Sequence, residues 1–350
     1  MKTDIVLISP ESVDYSEIIE KAAKIIKNGG LVVFPTETVY GLGADATNEN
    51  AANKIYTAKG RPSDNPLIIH IAHPEEAERY AYTNDTYYKL SRNFMPGPLT
   101  VILSSKDSIP KATRGGLDTV AVRCPESKVA RDLITASGVA IAAPSANLSG
   151  SPSPTNAQHV IDDMNGRVDM ILDGGESDFG LESTIVKIDS DGALTLLRPG
   201  KITVNDLLTV VSEVNVADAV MDKLKEGEKV LSPGMKYRHY APKAPLSLID
   251  GDIDCAVQYI KNNANGNVAV ICYDEDASLV NKELRGVTVY SFGKKDDENG
   301  QAHILFSLLR EIDKAEHDMI FAPLPSPDGV GLALYNRMIR AAAHVIIKLR

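Results

Sequence analysis

Residues 29–46 read Gly-Gly-Leu-Val-Val-Phe-Pro-Thr-Glu-Thr-Val-Tyr-Gly-Leu-Gly-Ala-Asp-Ala, and the rest of the chain is arranged around them. Leu31 to Phe34 is apolar without a break, the pattern of a buried strand. Pro35 has no N–H to donate and ends the ladder. Thr36, Glu37 and Thr38 follow, then Tyr40 and two glycines. A hydrophobic strand that ends in polar groups beside glycines is where α/β proteins place ligands. Residues 59–65, 143–153 and 182–184 carry similar chemistry and are expected to converge on this one.

Upstream, Asp14 and Glu17 resemble a capping box, and Ile18, Ala22, Ile25 and Ile26 share a helical face that stops at Asn28-Gly29. Downstream, the patterning predicts helices over 50–58, 74–93, 127–137, 156–165 and 203–213. It predicts strands over 67–72, 99–103, 119–124, 139–143, 168–172, 182–188 and 194–200. Strands that end in polar loops, in this mixed order, predict an α+β or α/β fold with a twisted mixed sheet. Residues 215–245 lose the alternation and carry Tyr237-Arg-His-Tyr240, too aromatic and basic for an inert linker and suited to a lid. Regular strand–helix alternation then resumes, ending in a helix over 332–348, and predicts a smaller Rossmann-like domain with a parallel sheet. The expected division is 1–214, a connector over 215–245, and 246–350.

A length of 350 residues agrees with two domains. The net charge of -10 argues against tight nucleic-acid binding through the overall field. Cys124, Cys255 and Cys272 are far apart, outside any C-x-x-C, and read as reduced core residues of a cytoplasmic protein. The first residues show no signal-peptide pattern, and no apolar run is long enough to span a bilayer.

Gly41-Leu-Gly43-Ala-Asp-Ala46 matches a dinucleotide fingerprint only in letters, because Pro35 to Tyr40 separate it from the strand. There is no P-loop, no H-x-x-x-H or H-E-x-x-H zinc pattern and no G-x-S-x-G elbow. Lys59 and Arg61 stand in a Pro-bounded loop with Asn65, either a solvated pair or a phosphate clamp. His70 on an apolar strand is by default a satisfied core histidine. Arg123, within Val-Ala-Val-Arg-Cys, needs a partner: an internal carboxylate or a substrate carboxylate. Ser145, Asn147, Ser149 and Ser153 crowd a strand end, either as turn and cap residues or as neutral phosphate ligands.

Taken together, Pro35–Gly43, Lys59-x-Arg61-Pro, Pro96-Gly-Pro-Leu-Thr100, Ala121-Val-Arg123, Ala143-Pro-Ser-Ala-Asn147, Glu182-Ser-Thr184 and Leu197-Arg-Pro-Gly200 resemble the YrdC-type domain. With Ser232-Pro-Gly-Met-Lys-Tyr-Arg-His-Tyr-Ala-Pro242 and a Rossmann-like domain after it, the whole chain is similar to the two-domain threonylcarbamoyl-AMP synthases. The resemblance implies a YrdC-like twisted mixed sheet with an open concave site. It also implies a nucleotidyltransferase that joins L-threonine, bicarbonate (or CO2) and ATP into L-threonylcarbamoyladenylate and pyrophosphate, for modification of tRNAs reading A-starting codons. Thr38, His70, Arg123, Ala143 (through its backbone) and Ser183 would hold L-threonine. Arg61, Asn65, Thr119, Ser145, Ser153, Arg198 and Tyr237 would hold ATP, and Lys59, Arg61, Ser145 and Asn147 match the catalytic set. No metal ligand comes from the protein; Mg2+ is expected on the ATP phosphates. A threonylcarbamoyl transferase would act downstream, direct tRNA contact would be weak, and no membrane is involved. The alternative is an RNA-binding, translation-associated module.

Overall fold

Alternation of short apolar strands with amphipathic helices gives two separately built sheets. The computed structural model describes residues 2–222 and 239–349. The chain divides into two units, Met1–Ser149 with Ser153–Lys236, and Gly150–Pro152 with Tyr237–Arg350. In chain order the first holds β1 (Asp4–Leu7), α1 (Tyr15–Lys27), β2 (Val32–Phe34), β3 (Gly41–Asp45), α2 (Glu49–Lys59), β4 (Ile68–His70), a 3-10 turn (Pro74–Arg79), β5 (Ala81–Tyr82), α3 (Asp85–Phe94), β6 (Leu99–Ser105) and β7 (Thr119–Arg123). There follow α4 (Lys128–Ser137), β8 (Ile141–Ala142), α5 (Ala157–Met164), β9 (Met170–Asp173), β10 (Thr184–Ile188), β11 (Leu194–Arg198), α6 (Val204–Leu208), β12 (Val214–Val216) and α7 (Asp218–Met221).

Among the described residues these strands form one mixed sheet in the order β1-β9-β2-β3-β8-β4-β7-β6-β10-β11-β12, with β5 on β6. The directions decide where the chemistry falls. β4 and β7 are parallel, with His70 opposite Arg123. β6 is antiparallel to β7, so Thr100 near its start meets Arg123. β10 is parallel to β6 and β11 antiparallel to β10, which brings Thr184 beside Leu99 and Arg198 beside Ile185. The strand ends His70, Arg123 and Arg198 and the strand starts at 99–100 and 184 therefore share one sheet edge. Behind it, Ile18, Ala22 and Ile26 of α1 and Val129, Leu133 and Ile134 of α4 pack on Val32, Phe34, Ile141 and Met170. Each such large side chain contributes about 1.5–3 kcal/mol on burial.

The second unit holds β13 (Leu246–Asp250), α8 (Ile253–Asn263), β14 (Val268–Cys272), α9 (Ala277–Glu283), β15 (Val287–Ser291), α10 (Glu298–Ile312), β16 (Met319–Pro323), α11 (Gly331–Ala341) and β17 (Ile346–Lys348). All its described pairings are parallel, in the order β15-β14-β16-β13-β17. β16 thus lies between β13 and β14, unlike the usual dinucleotide-binding order. Asp252 caps α8, its carboxylate on the Cys255 N–H at 2.8 Å, in the place where dinucleotide-binding turns seat a phosphate.

Gly41–Asp45 is a strand antiparallel to β2, and no helix starts in it, in keeping with the rejection of the dinucleotide fingerprint. Several local expectations are corrected. The 74–93 region breaks into the 3-10 turn, β5 and α3, because Asn84 caps a new helix with its side chain on the Tyr87 N–H. The helix at 203 stops at Leu208 although Thr203 and Asp206 form a capping box. The last helix ends at Ala341, and the chain returns as β17 through Ala343 and His344, both at positive φ. Asp14 makes no side-chain cap on α1. Cys255 is half-buried rather than in the core.

Candidate active site

The Pro35–Tyr40 connection is held by its own hydroxyls and by its neighbours. Thr36 Oγ1 donates to the Val39 carbonyl at 2.6 Å and lies 2.9 Å from Thr38 Oγ1. The Phe179 and Gly180 N–H groups bind the Glu37 and Thr38 carbonyls, and the Tyr40 N–H binds Pro154 O. Tyr40 OH donates to Gly175 O at 2.6 Å. The turn is thereby tied to the 154 and 179–180 segments, and Glu37 and Thr38 are buried.

Two groups of side chains stand on this frame. In the first, Arg123 Nη2 lies 2.6 Å from Glu37 Oε1, both side chains 5% exposed. One arm of the Arg123 guanidinium is thus taken by an internal carboxylate. His70, fully enclosed beside Arg123, meets the Phe34 ring edge-on at 6.2 Å. Burial first, then the Arg123 charge, pushes its pKa down to about 3, so it is neutral. Thr100 Oγ1 and Ser183 Oγ are 2.8 Å apart. Arg198 donates from Nε to Ser183 O at 2.9 Å and from Nη2 to Ser183 Oγ at 3.0 Å. The Ala143 N–H binds Ile68 O on β4.

In the second group, Lys59 is buried, not solvated. Its Nζ donates to Ser145 O at 2.5 Å and Asn147 O at 2.6 Å, and Ser145 Oγ to Asn147 Oδ1 at 2.5 Å. Leu42 and Ala146 N–H groups tie this loop to β3 and Tyr40. Arg61 Nη2 reaches Pro66 O at 3.2 Å, beside the buried Asn65. Ser153 Oγ donates to Glu182 Oε1 at 2.5 Å, next to Ser183. Thr119 is set apart: it begins β7, four residues and about 13 Å along the strand from Arg123. Tyr237 lies outside the described residues.

Glu37 is the site residue that reading of the residues left without a role. The signal was present, since an arginine in an apolar strand demands a carboxylate and Glu37 closely follows the apolar strand Leu31–Phe34 and its Pro35 stop.

These features define an α/β protein with a large mixed sheet, a cluster of charged and hydroxyl side chains at one sheet edge, and a second parallel-sheet unit. The family model described as "Telomere recombination" matches residues 24–200, and that for the threonylcarbamoyl-AMP synthase C-terminal domain matches 202–343. The threonylcarbamoyl-AMP synthase of Bacillus subtilis is 42% identical over 94% of each chain. That of Pyrococcus abyssi is 42% identical over 93% of this chain and 94% of its own. The crystal structure of P. abyssi Sua5 complexed with L-threonine covers 99% of this chain and 100% of its own, with a TM-score of 0.89 and 39% identity. The chain belongs to the threonylcarbamoyl-AMP synthase family.

Proposed function

We propose that this protein makes L-threonylcarbamoyl-AMP from L-threonine, bicarbonate and ATP in the cytoplasm, with pyrophosphate and water as the other products. A threonylcarbamoyl transferase would then pass the group to tRNAs that read A-starting codons. The observation that carries the reading is the junction at Ser183. Its hydroxyl and carbonyl join Arg198, a phosphate-binding candidate, to the edge that holds Arg123 and His70.

In this reading Arg123, Thr38, His70, Ser183 and the Ala143 backbone hold L-threonine. Arg61, Asn65, Thr119, Ser145, Ser153, Arg198 and Tyr237 hold ATP. Bicarbonate takes the proton of the α-ammonium and breaks down to CO2 and water, and the free amine attacks the carbon of CO2. The N–C bond forms, one C=O electron pair moves to oxygen, and a proton leaves to give the carbamate. A carbamate oxygen then attacks the α-phosphorus, the bond to the bridging oxygen breaks, and pyrophosphate departs. No side-chain nucleophile is needed. Lys59, Arg61 and Arg198 supply positioning and charge neutralisation, with Lys59 also bracing the Ser145–Asn147 loop. Among the described residues no group of three or more His, Cys, Asp or Glu could hold a metal, and Glu37 and Glu182 face Arg123 and Ser153. Mg2+ would arrive with ATP, where it would offset phosphate charge. Among the described residues no helix is long and apolar enough to cross a membrane.

The test is pyrophosphate release from MgATP and bicarbonate with each of the twenty amino acids in turn. Release that depends on both L-threonine and bicarbonate supports the reading; release with none overturns it. Tight, salt-steep binding of bulk tRNA would then favour the RNA-binding alternative.

A further inference from the structure

Arg123 and Glu37 form a buried ion pair that is only half closed. Glu37 Oε1 takes one Nη of the guanidinium at 2.6 Å. Glu37 Oε2 is buried and has no hydrogen-bond partner. A buried carboxylate oxygen left in that state costs free energy unless something completes it. The guanidinium gives one Nη to Glu37, and its Nε faces Gly97 O at 3.4 Å, a long contact. One acid oxygen and part of one arginine fork thus stand side by side at the edge shared with Thr38, His70 and Ser183.

This is the charge complement of an α-amino acid zwitterion, whose ammonium and carboxylate sit on one carbon. On the proposed function, the carboxylate goes to the rest of the Arg123 fork. We propose that Glu37 Oε2 receives the α-ammonium of L-threonine and so fixes the nitrogen that will be carbamoylated. The neighbouring His70 is uncharged and also has an unpartnered buried Nδ1. Thr38, next in sequence, has its hydroxyl turned to Thr36. Glu37 then has two contacts, one that orients Arg123 and one that binds the substrate, and the second separates it from a merely structural acid.

The test uses the full chain, L-threonine, and (2S,3R)-2,3-dihydroxybutanoate, in which a hydroxyl replaces the α-ammonium. A hydrogen bond between charged partners is worth about 1.5–3 kcal/mol, so wild-type protein should bind L-threonine about 10- to 100-fold more tightly than the analogue by calorimetry. In Glu37→Gln that preference should collapse to about threefold or less, and the KM for L-threonine should rise by about the same 10- to 100-fold with kcat changed far less. Equal weakening of both ligands in Glu37→Gln would mean that Glu37 only orients Arg123, and would overturn the assignment. Should Glu37→Gln fail to fold, the wild-type comparison decides alone: an analogue that binds as tightly as L-threonine overturns it. Wild-type protein that neither binds L-threonine nor releases pyrophosphate with it would refute the function itself, a distinct result.

Discussion

The buried pair Arg123–Glu37 makes opposite demands on stability and on binding. Removing one partner strands a charge in the interior, which costs about 3–5 kcal/mol. Arg123→Met should therefore destabilise the first unit by about that amount, while Arg123→Met with Glu37→Leu should recover most of the loss. Both should abolish L-threonine binding and spare ATP binding, checked by urea unfolding and by separate titrations of the two ligands. Equal loss of ATP affinity would remove Arg123 from the threonine side. His70 adds a pH signature. Its pKa falls to about 3 in the folded chain, through burial first and then the Arg123 charge. The unfolded histidine, near 6.5, takes up a proton that the folded one refuses. The stability tied to this group is thus fully present above about pH 6.5 and lost as pH falls, by up to about 1.4 kcal/mol per unit down to about pH 3. His70→Gln should flatten that slope, and unfolding midpoints at pH 7 and pH 5 in both proteins would show it. An unchanged slope would mean that other groups carry the acid sensitivity.

The hydrophobic run to Phe34 and the Pro35 stop were legible because periodicity and a missing N–H act locally. β3 was not, since Gly-Leu-Gly has low strand propensity and only the tertiary setting makes it a strand. A Cβ at Gly43 would stand 2.7 Å from Phe34 Cε1, 2.8 Å from Ile141 Cγ2 and 3.1 Å from Val32 O. The glycine is there because β2 and the side chains of its neighbours approach this closely, not because a nucleotide does. Gly43→Ala should cost about 1–3 kcal/mol through overpacking and lower the melting temperature, with ligand affinities per folded molecule unchanged. A variant of full stability that lost ATP binding would return Gly43 to a ligand contact. The same limit explains the helices drawn too long over 203–213 and 332–348. Asn84 is a local cap that the reading of 74–93 passed over, whereas the stop at Leu208 and the return of the chain as β17 are set by the tertiary setting. Of the site, the residue types and their strand-end positions could be read in advance. That Lys59 is buried against two carbonyls, and that Glu37 is the acid meeting Arg123, depends on contacts 86 or more positions apart.

At the scale of the whole chain, the two proposed substrates make different demands. Thr38, His70, Arg123, Ala143 and Ser183 all belong to the first unit and are fixed by its single sheet. The proposed ATP set is divided, because Tyr237 lies outside the described residues, beyond β12 and α7 of the first unit. A mixed carboxylic–phosphoric anhydride such as the proposed product hydrolyses in water, so a connector that shields it would matter for turnover and not for capture of the amino acid. The second unit has its own parallel sheet and its own core, in which Val257 and Ile260 of α8 pack on Val268, Val270 and Phe321. Separation after residue 222 should therefore leave the first unit folded, with L-threonine affinity within about threefold of the full chain. ATP affinity should fall, and pyrophosphate release should drop by a factor of about 100 or more, the scale of a lost positioning contact. Tyr237→Ala in the full chain should reproduce this split in milder form: normal threonine binding, weaker ATP retention and a shorter-lived product, followed by calorimetry and by chromatography of the adenylate. Truncated protein that folds but no longer binds L-threonine would mean that the amino-acid pocket draws on residues beyond 222. Unchanged nucleotide affinity and product lifetime in Tyr237→Ala would reduce the connector to a tether.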